Sequence, residues 1–109
     1  MGEHTMWDRD GLRVWAEWGK DGKLTIQGQD LRAGPRGNAE YEYAISIAVD
    51  DVSKVLEALG GASDDDVLEL LCAHGATIVS CGPKQWVEDL GVRPELWSWF
   101  DPDEIFGGP

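Results

Sequence analysis

Cysteine, histidine and basic residues are scarce in this chain of 109 residues, and no long apolar run occurs. Two cysteines, Cys72 and Cys81, can form at most one pair and make no disulfide framework, so a reduced compartment is expected. With two histidines, the best metal pattern is Cys72, His74 and Cys81, spaced C-x-H-x6-C, with His4 as a fourth ligand. Structural zinc sites use tighter paired spacings, so neither metal nor cofactor is expected. Cys81 beside His74 would also make a nucleophile–base pair, but no motif supplies the third group that orients the base. No segment approaches the roughly 20 apolar residues that span a bilayer. The N-terminal stretch MGEHTMWDRD is too polar for a secretory leader. Met6 stands where a lipidation signal on Gly2 needs Ser or Thr. The expectation is a soluble, cytoplasmic protein.

Catalytic signatures are missing too. Ser80 has Gly82 behind it but Ile78 where a nucleophile elbow needs glycine. Neither a phosphate loop nor a dinucleotide fingerprint is present. A deep pocket would consume much of the core that a chain of this length can build. No enzyme is expected.

The shortage of positive charge is uneven. Nine Lys and Arg face 21 Asp and Glu, for a net charge of −12. Residues 1–38 are balanced, six of each sign, whereas 39–109 carry 15 acids against Lys54, Lys84 and Arg93. Such a surface repels phosphate backbones and anionic membranes, which excludes direct nucleic-acid or membrane binding. It attracts a basic partner, and it also keeps a small protein dispersed.

What is abundant is tryptophan, six in all. Each buries a large ring and needs a partner for its indole N–H, so tryptophans collect in cores and interfaces. The length fits one domain, 1–109, with 101–109 a loose tail. Leu12–Trp18 alternates, with Leu12, Val14, Ala16 and Trp18 on one face and Arg13, Trp15 and Glu17 on the other. Asp21-Gly22 then turns a hairpin into a return strand with Leu24 and Ile26 inward. Arg9–Gly11 turns a shorter strand around Met6-Trp7 into the same meander. Residues 32–38 read as a loop.

The next strand sets Tyr41, Tyr43, Ile45, Ile47 and Val49 on one face and Glu42, Ala44, Ser46 and Ala48 on the other. Trp15, from an adjacent strand, would fill the space over those small residues. The period then becomes helical: Val52, Val55, Leu56 and Leu59 form one stripe, capped by Asp50 or Asp51 and ended by Gly60-Gly61. A second helix carries Val67, Leu70 and Leu71, widened by Leu68 and Cys72. Ala76–Ser80 reads as a short buried strand. Pro83 opens a third helix with Trp86, Val87 and Leu90 inward and Gly91 as its stop. Leu96, Trp97 and Trp99 suit either a strand or a helix. Strands before helices give an α+β fold, an antiparallel meander of three to four strands followed by two to three helices on one face.

Asp64-Asp65-Asp66 is too consecutive to chelate one ion, since a calcium loop alternates its ligands. Ser63 is placed to cap the second helix, with Asp66 completing a capping box and Asp64 and Asp65 favoured by the first-turn dipole. The fragments at Asp8–Gly11 and Asp101–Glu104 read as turns. Trp97, Trp99 and Phe100 beside Asp101, Asp103 and Glu104 read either as a contact surface or as closure of the core.

Gly28-Gln-Asp-Leu31, followed by YEYAISIAVDDVSKVLEALG from Tyr41 to Gly60, resembles small acidic actinobacterial immunity proteins of contact-dependent growth-inhibition and other polymorphic toxin systems. The similarity spans about Leu12 to Gly60. It implies a single-domain cytoplasmic protein that binds one cognate toxin and blocks its active site or an adjacent surface. Such families share no binding-residue motif, so the contact residues expected here come from charge and aromaticity. They are Asp64, Asp65, Asp66, Glu69, Glu88, Asp89, Asp101, Asp103 and Glu104, with Trp97 and Trp99 as anchors, facing a basic, nuclease-like domain. Two other readings stand beside this one: a binding or regulatory module for another basic protein or peptide, with the edge of its sheet as one route of recognition, and a small Cys/His metal or thiol protein.

Overall fold

The computed structural model describes residues 3–19, 21–33, 39–62 and 65–101, with side chains left out at 32–33, 39 and 99–101. Four strands run in chain order: β1 (His4–Arg9), β2 (Leu12–Trp18), β3 (Leu24–Ala33) and β4 (Ala39–Ile47). Asp10 and Gly11, at φ 56° and 83°, make the tight turn between β1 and β2. Such turns need positive φ at both central residues, which Asp and Gly tolerate. Between β2 and β3, Gly22 sits at φ 83°. The Asp21 carboxylate accepts the Lys23 N–H at 3.1 Å, and the Gly19 N–H donates to the Lys23 carbonyl at 2.8 Å.

A 3-10 turn (Val49–Asp51) leads into α1 (Val52–Ala58), followed by α2 (Val67–Ala73), α3 (Gly75–Cys81) and α4 (Pro83–Asp89). The chain then returns as β5 (Glu95–Asp101), antiparallel to β4, from Ser46↔Glu95 to Glu40↔Asp101. The whole helical excursion therefore leaves and rejoins the sheet at one end of β4. The strand order is β1-β2-β3-β4-β5 throughout.

The fold is α+β, with two extensions of the expected plan: a fifth strand after the helices, and four helices rather than two or three. All the fully buried strand residues share one face: Val14, Ala16, Leu24, Ile26, Ile45 and Ile47. The core also takes Val55, Leu59, Val67, Leu71, Ile78 and Val87 from the helices. At about 25 cal/mol per Å² of apolar surface, this burial is the main stabilising term. The other face of the sheet bears no buried side chain among the described residues.

Several local readings change. Ala76–Ser80 is helical, inside α3. Its β-branched run imitates a strand, but Val67, Leu71, Gly75 and Ile78 continue one helical stripe onto the sheet, and all four are buried. Val49 does not extend the inner face of β4, because the strand stops at Ile47; Val49 is 59% exposed in the 3-10 turn. Asp51 occupies the N-cap position of α1, but its side chain makes no capping hydrogen bond. The helix grows out of the 3-10 turn with Asp51 already in helical backbone, and its carboxylate holds Lys54 at 3.2 Å.

The end of α1 is a Schellman cap: Gly60, at φ 75°, donates to the Glu57 carbonyl at 3.0 Å, and Gly61 donates to Leu56 at 2.9 Å. Arg32 and Ala33 belong to β3 rather than to a loop, and Ala33 pairs with Ala39. Residues 34–38 and the tail beyond Asp101 lie outside the described residues.

Candidate functional site

Alternation along β2, β3 and β4 sends every second side chain away from the helices. In register, Trp15 pairs with Gln27, Gln27 with Ala44, and Ala44 with Trp97. This row crosses the face that no described helix covers, with an indole at each end, three strand spacings or about 14 Å apart. Trp15 does not cover Ala44 as expected, because β3 lies between β2 and β4. The large residue beside Ala44 is Trp97, 55% exposed on the outermost strand. Arg13 stands over the Trp15 ring at 4.6 Å, so that indole is already engaged.

Carboxylates line the same face. Glu17 accepts a hydrogen bond from Gln27 Nε2. Glu40 accepts one from Gln29 Nε2 at 2.7 Å. Glu40 and Glu42 stand two residues apart on β4, on one face of the strand. Hydrogen bonding with Glu40 holds Glu42 above the usual carboxylate range, with desolvation adding to it. Glu40 is held below that range by hydrogen bonds with Glu42 and Gln29. Glu95, at the start of β5, takes Lys23 Nζ at 2.7 Å, which raises the Lys23 pKa.

On the helix side of β5 lies a groove of about 350 Å³. Tyr41, Tyr43 and Leu96 form its sheet wall, and Pro83, Lys84 and Glu88 belong to its α4 wall. The two tyrosine rings are 5.9 Å apart. Burial, then Tyr41 and Asp30, push the Tyr43 phenol up to about 12. Lys84 is tied to Glu88 at 2.9 Å along the α4 wall.

Among the described residues, the acids expected to form one contact face belong to separate elements. Asp66 is itself the N-cap of α2, accepting the Leu68 N–H at 2.9 Å, so the helix starts after the acidic run and not within it. Asp65 instead closes the preceding turn, accepting the Ala62 N–H at 2.7 Å. Ser63 and Asp64 lie outside the described residues. Glu69 is exposed in the first turn of α2, while Glu88 and Asp89 occupy α4, where Asp89 accepts from Gln85 at 2.8 Å. Trp97 is on the opposite face of the sheet from these helices. Trp99 pairs with Glu42 and Asp101 with Glu40 through the backbone, their side chains lying outside the described residues, as do Asp103 and Glu104.

The pair Glu40–Glu42 was missed in the sequence. Its signal is the alternation with Tyr41 and Tyr43, which puts both carboxylates on one face.

The remaining tryptophans divide. Trp7 and Trp86 pack against the core, while Trp18 is 45% exposed at the end of β2. Cys72 is partly buried, which raises its thiol pKa, and Cys81 is exposed; both are free. Among the described residues no three His, Cys, Asp or Glu side chains are grouped to hold a metal ion. Nor is any helix among them long and apolar enough to cross a membrane.

No family model, no curated protein and no solved structure matches this chain.

Proposed function

We propose that this chain is a non-enzymatic binding protein of the immunity type, which holds a cognate basic, nuclease-like toxin domain in the cytoplasm and blocks it. The observation that supports the reading is Trp97. It is an indole 55% exposed on the last strand of the sheet, beside a face lined by Glu17, Glu40 and Glu42. An aromatic anchor amid acidic groups suits a partner that brings Arg and Lys. The net charge of −12 would speed its encounter and disfavour nucleic acid as a direct ligand.

A tagged pull-down from the native host at low salt, read by mass spectrometry, tests this. The expected result is one basic toxin-like domain, released as salt rises and lost with Trp97→Ala. Capture of no protein, or of one that ignores both salt and Trp97, removes the reading. The second reading, a module for another basic protein or peptide, is favoured by the outer edge of β5, beside which no further strand lies among the described residues. It would give a non-toxin partner in the same experiment.

A further inference from the structure

We propose that β5 accepts an extended basic peptide as a sixth strand, with the peptide's alternate apolar side chains entering the groove beside Tyr43 and Leu96. The inference rests on the binding-protein reading only for the charge of its ligand.

The two edges of the sheet differ. On β1 the register shifts between Thr5 and Trp7, and such a bulge bends an edge away from further pairing. β5 has no such device. Its seven residues pair with β4 without a break, they include neither Pro nor Lys, and among the described residues no strand lies outside it. Its outer N–H and C=O groups form a template for another strand.

The ends of β5 select what pairs there. Glu95 and Asp101 bound the strand. A second copy paired antiparallel about Ser98 would set Glu95 against Asp101 at both ends, and like charges in register destabilise a ladder. A strand carrying Lys or Arg is drawn instead by the net charge of −12, with Glu95, which already holds Lys23 at 2.7 Å, at one end of β5. Its two faces also find different surroundings. One set of side chains enters the groove of about 350 Å³ that Leu96 shares with Tyr43 and Pro83. The other set stands beside Trp97, where a Lys stem covers the indole and its ammonium group reaches toward Glu42. An alternating apolar–basic sequence fits both, with main-chain bonds supplying affinity and alternate pockets specificity.

The test uses the full chain and a capped synthetic peptide of alternating Val and Lys, matched to the seven residues of β5. Calorimetry should show one-to-one binding, and hydrogen exchange should slow at β5 amides. Methylating alternate peptide nitrogens, one register at a time, should weaken binding by at least about tenfold in the register whose N–H groups face β5 and much less in the other, because only the first removes ladder donors while charge is unchanged in both. Leu96→Lys should weaken it similarly while thermal unfolding stays cooperative.

Equal affinity of the methylated and plain peptides would mean attraction by charge alone and overturn the proposal. Absence of binding would overturn it as well. A host partner captured by a protein that ignores the peptide would leave the binding function standing without strand addition. Peptide capture at β5 with no host partner would do the reverse.

Discussion

Tyr43 lays its ring over Gly28, its strand neighbour in register, with Cε2 and Cζ 2.3 Å from where a Cβ on Gly28 would stand. Glycine inside a strand ordinarily weakens it, so Gly→Ala at an open strand position stabilises by roughly 0.5–1 kcal/mol. Here the sign reverses. Gly28→Ala forces the ring off its seat and is expected to cost about 1–3 kcal/mol, the usual range for overpacking. Chemical denaturation measures it. In a double-mutant cycle with Tyr43→Val, the cost of Gly28→Ala should largely disappear.

Asp66 accounts for the acidic run that opens α2. As the N-cap it satisfies the Leu68 N–H, and Asp66→Ala is expected to cost about 1 kcal/mol. Asp65→Ala loses only the exposed bond to the Ala62 N–H and should cost less. Thermal unfolding of the two variants separates them. Equal losses would show that the cap contributes no more than the turn before it.

The strands β2, β3 and β4 were legible because alternation is a local signal: each inner residue named in them turns away from solvent, except Trp18 and Val49 at the strand ends, which are 45% and 59% exposed. β5 was ambiguous, since Leu96, Trp97 and Trp99 satisfy both periods and only its long-range pairing with β4 decides. α3 was misread because the β-branched run Thr77, Ile78 and Val79 outweighs helical spacing until the stripe from Val67 is included. The predicted site was built from acids close in sequence; of its described members, Asp65, Asp66 and Glu69 belong to α2 and the turn before it, and Glu88 and Asp89 to α4. Asp89 and Trp97 are near along the chain but on different sides of the sheet, whereas Glu42 reaches the face of Trp97 by strand pairing alone.

Gly75 tests how α3 is seated. A Cβ there would stand 2.2 Å from the Met6 carbonyl oxygen, and a backbone atom cannot move aside as a side chain can. Gly75→Ala should therefore push α3 off β1, at about 3 kcal/mol or more. Shortening Met6 to Ala should not rescue it, in contrast to the Gly28–Tyr43 pair. The comparison of the two cycles by denaturation distinguishes a steric conflict with backbone from one with a ring.

Tyr43 also gives the fold an alkaline limit. Its phenol is pushed from 10.0 to about 12, first by burial and then by Tyr41 and Asp30. Above pH 10 the unfolded chain gives up this proton while the folded chain keeps it, so the unfolded state binds fewer protons and stability falls as pH rises. The contribution is fully present below pH 10 and is lost through about pH 12. Tyr43→Phe cannot ionise, so its stability curve should be flatter over that interval, whatever its offset at neutral pH. Lys23, whose pKa is raised by the hydrogen bond to Glu95, also makes stability fall as pH rises, but it does so equally in both proteins and cancels in the difference. Denaturant unfolding of the two proteins at stepped alkaline pH measures the gap. Parallel curves would mean that the phenol is hydrated in the folded state and that the groove wall beside Leu96 is wetter than its geometry implies.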